Sequence, residues 1–109
     1  MATARRIFWT PAALGTLAEI HAFTERRWGT LSAKAIVAKL RAATRVLREH
    51  PHFGRPSRRE GVRELVSVHP FVISYRLREL EGDVEILRIW HGAQERDEAP
   101  HEDGEVLAG

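Results

Sequence analysis

The 109-residue chain contains no cysteine. That removes disulfide stabilisation and thiol chemistry together. A domain this small must then rest on packing alone, which fits a reducing cytoplasm. Long apolar runs are missing too. The opening "MATARRIFWTPAAL" lacks the continuous apolar core of a secretion signal, and no stretch is long enough to span a bilayer. A cytoplasmic protein with no membrane partner is the expectation. Lysine is scarce: of 17 basic residues 15 are arginine, the others being Lys34 and Lys39. No glycine-rich phosphate loop occurs, and Ser32, Ser57, Ser67 and Ser74 sit in no nucleophile-elbow context. His50 and His52 flank Pro51, with His69 and His91 scattered elsewhere. A metal site needs three or four converging ligands, so no metal or cofactor is expected.

What the chain does have is unevenly placed charge. The formal net charge is +2, but residues 97–109, "DEAPHEDGEVLAG", hold five acidic residues and no lysine or arginine. Residues 1–96 therefore carry 17 basic against 10 acidic side chains, a net +7. Arginine presents a planar fork suited to carboxylates and phosphates, so this part looks prepared for an anionic partner. An arginine-rich composition without functional meaning would read the same. Residues 1–96 are expected to form one domain and 97–109 a flexible acidic tail.

The pattern along the chain gives a coarse fold. "RRIFW" reads as a short strand, ending at Thr10-Pro11, where threonine caps a helix and proline suits its first position. Leu14, Leu17 and His21, with Ile20 and Phe23 beside them, predict an amphipathic helix closed by Gly29. A second helix is expected from about Leu31 to Glu49. Ile36, Leu40, Ala43 and Leu47 form its core stripe and Lys34, Arg41, Arg45 and Arg48 a cationic one. A two- or three-residue connection between them predicts an antiparallel hairpin. The period then changes to two. "VRELVSV" and "FVISYRLR" read as strands around a His69-Pro70 turn, "ELEGD" as a hairpin loop, and "VEILRIWH" as a central last strand. The fold class is α+β, ordered β-α-α-β-β-β, with the helical hairpin on one face of a small, mostly antiparallel sheet.

Two arginine groups then stand out. One is the loop "HPHFGRPSRREGVREL", with Arg55, Arg58, Arg59 and Arg63 between breakers that forbid a helix. The other is a sheet cluster of Arg63, Arg76, Arg88, Tyr75 and His91. If the helices cover one face, Arg76 and Arg78 line the other. Such a cluster could hold a phosphodiester during in-line RNA cleavage, with His91 as acid or base. It could equally receive a carboxylate-bearing peptide. The plain alternative is a solvated face laced with Glu64 and Glu85 ion pairs, each worth ~0–1 kcal/mol. A basic nucleic-acid-binding module also fits the charge.

"WTPAALGTLAEIHAFTERRWG", "EHPHFGRPSRREGVREL", "FVISYRL" and "VEILRIWHGAQ" together resemble the RelE/ParE toxins of type II toxin–antitoxin modules, most closely the ParE, or plasmid-stabilisation, branch. The likeness runs over about residues 7–96 and implies the same β-α-α-β-β-β order. RelE-like members are ribosome-dependent mRNA endonucleases. The positions corresponding to their strand and C-terminal arginines here are Val72 and the Ala93–Gln94 pair, neither of which supplies a cation. The resemblance thus implies a non-enzymatic toxin that binds DNA gyrase and is held inactive by a cognate antitoxin. Acidic antitoxin segments would land on Arg41, Arg45, Arg48, Arg55, Arg58, Arg59, Arg63 and Arg76. Should the chain instead cleave ribosome-bound mRNA, Arg63, Arg76, Arg88 and His91 are the residues expected to do it.

Overall fold

The structure is a computed structural model that describes residues 5–78 and 82–92. Strand β1 (Ile7–Trp9) leads into helix α1 (Pro11–Trp28) and helix α2 (Thr30–Ala43). A 3-10 segment, Thr44–Arg48, follows, and then strands β2 (Arg55–Pro56), β3 (Val62–Leu65), β4 (Phe71–Leu77) and β5 (Val84–His91). The five strands form one sheet in the order β1-β5-β4-β3-β2. Only β1 against β5 is parallel; the other three pairings are antiparallel. The expected α+β architecture is present, with β2 as an added edge strand inside the arginine loop.

Thr10 does more than cap α1. Its hydroxyl accepts the Ala13 N–H at 3.1 Å and donates to the Ile86 carbonyl at 2.8 Å, so the helix start is tied to the central strand. Pro11 occupies the first turn, where no N–H is needed. The two helices meet at one residue rather than two or three. Gly29, at φ 94°, donates to Glu25 to close α1, and its carbonyl accepts the Ala33 N–H to open α2. A side chain there would be strained, which is why glycine ends one helix and starts the next.

Three expectations need correction. The second helix does not run unbroken to Glu49. The Thr44 hydroxyl donates to the Arg41 carbonyl at 2.7 Å, and the chain tightens into the 3-10 segment from there. Such back-bonding by threonine competes with the α-helical ladder. In α1 the buried line is Ala13 and Leu17, with Ile20 partly buried, while Leu14 is 45% exposed. The small Ala13, fully buried, lets the helix sit close to the sheet. Strand β3 stops at Leu65, short of the expected Val68.

Register fixes which residues share a face, since directly paired residues project to the same side. Leu65 pairs with Ile73, which pairs with Ile89, and Tyr75 pairs with Ile86. These five join Ala13, Leu17, Leu40 and Leu47 in one core, so this face carries the helices. Full burial of each large aliphatic contributes ~1.5–3 kcal/mol. The other face carries Val62 with Arg76, Glu64 with Ser74, Val72 with Trp90, and Arg76 with Glu85. On it Val62, Val72, Ser74 and Trp90 are each at most 5% exposed. Trp90 donates its indole N–H to the Ser74 hydroxyl at 3.1 Å. A register irregularity between Ser74 and Tyr75 interrupts the β4–β5 ladder at the same point.

Candidate functional site

The arginine loop is held by one phenol. Tyr75, on the helix-bearing face of β4, accepts the Gly54 N–H at 2.9 Å and donates to the Pro51 carbonyl at 2.8 Å. Burial raises the Tyr75 pKa above its ordinary 10.0, while the Gly54 hydrogen bond and the Arg63 charge act in the opposite direction. Gly54 admits no side chain: a Cβ would stand 2.7 Å from the Glu64 carbonyl oxygen and 2.8 Å from the Tyr75 ring.

Arg63 extends this anchor. Its Nη1 donates to the Gly54 carbonyl at 2.6 Å and the His52 carbonyl at 3.3 Å. Pairing with Tyr75 and Pro56 puts it on the helix-bearing face. Arg55 donates from Nε to Glu64 at 3.0 Å, and Arg76 from Nε to Glu85 at 2.7 Å, both on the opposite face. Arg88 pairs with Ser74 and joins that face, whereas His91 pairs with Phe71 on the helix side and meets its ring edge-on at 5.7 Å. The expected cluster is therefore divided: Arg76 and Arg88 lie on one side of the sheet, and Arg63, Tyr75 and His91 on the other. Arg58 and Arg59 are exposed at the loop tip. Val72 is buried in the sheet, and Ala93–Gln94 lies outside the described residues, as do the acidic stretch 97–109 and most of the "ELEGD" loop.

The loop and the ends of β3 and β4 enclose a cleft of about 520 Å³. Arg59, Arg63, Arg76, Glu60, His52 and Tyr75 contribute to its wall. Three arginines and Glu60 share this wall, and Arg76 is already paired with Glu85. A second groove of about 390 Å³ runs between α1 and the ends of β4 and β5, lined by Ile20, Phe23, Phe71 and Ile89 with Glu19 and His91.

The cationic stripe of α2 is exposed as expected but is not idle. Arg41 sits over the Trp9 ring at 5.1 Å, and Arg48 donates to the Arg5 carbonyl at 3.2 Å. Arg78 covers Phe8 in the same way, at 5.6 Å. The sequence reading missed an apolar surface at the hairpin tip, where Phe23, Trp28 and Leu31 are 50%, 64% and 84% exposed. Arg27 stacks on both rings, at 5.3 Å and 5.2 Å. The sequence groups Phe23 with the apolar face of α1, and the structure leaves it half exposed.

A helical hairpin on a sheet whose one parallel pair joins the first and last strands is the architecture of the RelE/ParE toxin superfamily. Residues 7–96 match the family described as the ParE toxin of type II toxin–antitoxin systems, parDE, and the chain belongs to that family. It is 40% identical over 92 residues to a Sinorhizobium fredii protein named "Putative toxin Y4kP", an alignment spanning 84% of this chain and 92% of that protein. Among solved structures, one titled as the chromosomal ParDE toxin–antitoxin system from P. aeruginosa superposes with a TM-score of 0.73 at 26% identity. That superposition covers 81% of this chain and 96% of the other. The Mycobacterium tuberculosis RelBE2 toxin–antitoxin complex superposes with a TM-score of 0.59 at 21% identity, covering 82% and 99%, which shows a shared fold.

Proposed function

We propose that this toxin acts by binding its target rather than by cutting a bond, that the target is DNA gyrase, and that a cognate antitoxin neutralises it. The observation carrying this reading is the division of the nuclease candidates. Arg63 and Arg76 reach one cleft, but Arg88 and His91 do not line it and project from opposite faces of β5, so the four do not converge on one phosphodiester. Val72, buried against Gly92 and Trp90, has no cation to offer. General acid–base catalysis needs its groups within hydrogen-bond reach of one reacting centre.

Support for the antitoxin comes from the solved relatives, which are toxin–antitoxin assemblies by title. The cationic loop and the α2 stripe then receive acidic partner side chains, and the apolar tip at Phe23, Trp28 and Leu31 receives apolar ones. Aromatic and arginine residues together are the usual anchors of such interfaces. Purified toxin added to a gyrase supercoiling assay is expected to inhibit it, with relief on adding antitoxin. Undiminished supercoiling at saturating toxin rejects the gyrase target.

The second reading is a ribosome-dependent mRNA endonuclease, favoured by the clustering of Arg59, Arg63, Arg76 and Tyr75 around one cleft. It requires cleavage of ribosome-bound message that disappears in Arg63→Ala or Arg76→Ala.

A further inference from the structure

We propose that the exposed flank of α1 pairs with itself: in the free toxin two copies cross antiparallel at Phe23, with Glu19 of each chain against Arg27 of the other. Glu19, Phe23 and Arg27 follow one another at intervals of four residues, and all three are exposed. Residues spaced in this way form one ridge on a helix, and such ridges interdigitate in the commonest class of helix crossing. Arg27 sits over the Phe23 ring at 5.3 Å, so the cation is held on this ridge by a contact that involves no carboxylate.

Charge selects the occupant. Helix α1 contains two acidic residues, Glu19 and Glu25. Glu25 is engaged inside the hairpin, where it accepts the Thr30 hydroxyl at 2.9 Å and lies 3.9 Å from the His21 imidazole. Among the described residues Glu19 has no basic partner and Arg27 no acidic one. Within one helix the two stand about 12 Å apart along the axis and do not meet. Each is four residues from Phe23, so a two-fold axis beside that ring sets Glu19 opposite Arg27 of the second copy, about 6 Å to either side. Both ion pairs then form at once, as a self-complementary two-fold interface requires. An acidic peptide would satisfy Arg27 and repel Glu19, and a basic one the reverse, whereas a second copy satisfies both. The groove along α1 includes Glu19 and Phe23, and its Ile20, Phe71 and Ile89 give the paired rings an apolar bed. The surface is small for a protein interface, so the dimer is expected to be weak and concentration-dependent. An antitoxin covering Phe23 competes with it. Self-association is independent of the toxin's target, so a negative gyrase assay leaves it standing.

Sedimentation velocity of the full-length toxin alone, from low micromolar to near-millimolar concentration, is expected to show a monomer–dimer equilibrium. Glu19→Arg sets a like charge against Arg27, and Arg27→Glu sets one against Glu19. Each alone is expected to weaken the dimer by about tenfold or more. The double variant E19R/R27E restores both pairs and is expected to restore the dimer. Equimolar E19R and R27E are expected to form a mixed dimer where neither dimerises alone, because one brings two arginines and the other two glutamates to the same axis. Both positions are exposed, and far-ultraviolet circular dichroism of each variant checks that the fold persists. A toxin that stays monomeric at every concentration, a single-charge variant that dimerises as well as the parent, or a mixture that stays monomeric would overturn the proposal.

Discussion

The Tyr75 hydroxyl and the Gly54 N–H meet at 2.9 Å across 21 residues of chain, and that bond seats the arginine loop on the sheet. Both partners are constrained. Alanine at position 54 would press on the Glu64 backbone and the Tyr75 ring at under 3 Å, so Gly54→Ala is expected to cost about 1–3 kcal/mol through overpacking. Tyr75→Phe leaves the Gly54 N–H and Pro51 C=O without their partner and is expected to cost a similar ~1–3 kcal/mol. Chemical denaturation of each variant and of the pair checks this, and contact predicts that the two costs do not add.

Alkaline pH should act through the same phenol. Its folded pKa lies above 10.0, so the folded state holds the proton more tightly than the unfolded chain does. The associated stability is complete below about pH 10, where both states are protonated, and is lost as pH rises toward the folded value. Melting temperatures measured from pH 8 to 11 are therefore expected to fall at the upper end. In Tyr75→Phe this particular component of the fall is absent.

Leu40 of α2 is fully buried in the core it shares with Leu17, Ile73 and Ile89. Leu40→Ala should cost ~2–5 kcal/mol, a large part of the ~5–15 kcal/mol available to a domain of this size. An equilibrium urea titration would show this as a lower midpoint at unchanged slope.

Arg58 offers the opposite case. It is exposed at the loop tip, and its loss removes no core contact. Arg58→Ala is expected to leave the melting temperature within the small range typical of surface changes, about 0.5 kcal/mol in stability. Calorimetric titration with the antitoxin is expected to show weaker binding. If affinity is unchanged, the loop tip is not part of that interface.

Most of the fold could be read from the sequence because its punctuation is local. Thr10-Pro11, Gly29 and the change of period after Pro51 each declare an element boundary in a few residues. The misses arose where a distant contact outranked the local pattern. Leu14 has the right spacing for a core position, yet Ala13 takes the place because the sheet approaches that side of α1. Val72, Ser74 and Trp90 alternate like a solvated strand face, yet all three are buried and the indole donates to the Ser74 hydroxyl. The candidate site was legible as composition and not as geometry. Arg63, Arg76 and Arg88 read as one cluster, but only Arg63 and Arg76 reach the cleft at the strand ends, while Arg88 lies away from it beside Ser74. The ion pairs expected at Glu64 and Glu85 are present, with Arg55 and Arg76 as their partners.

Strand β1 has its only described ladder partner in β5, with Ile7 beside Val84 and Trp9 beside Ile86. A chain leaving the ribosome makes the first strand long before its neighbour exists, so the helical hairpin must wait with one flank open. Nascent chains stalled short of Ile86 should stay sensitive to protease, and those released beyond Gly92 should become resistant. Early protection would show that the N-terminal strand finds another seat. The poison, on this account, is unarmed until its own translation is nearly over.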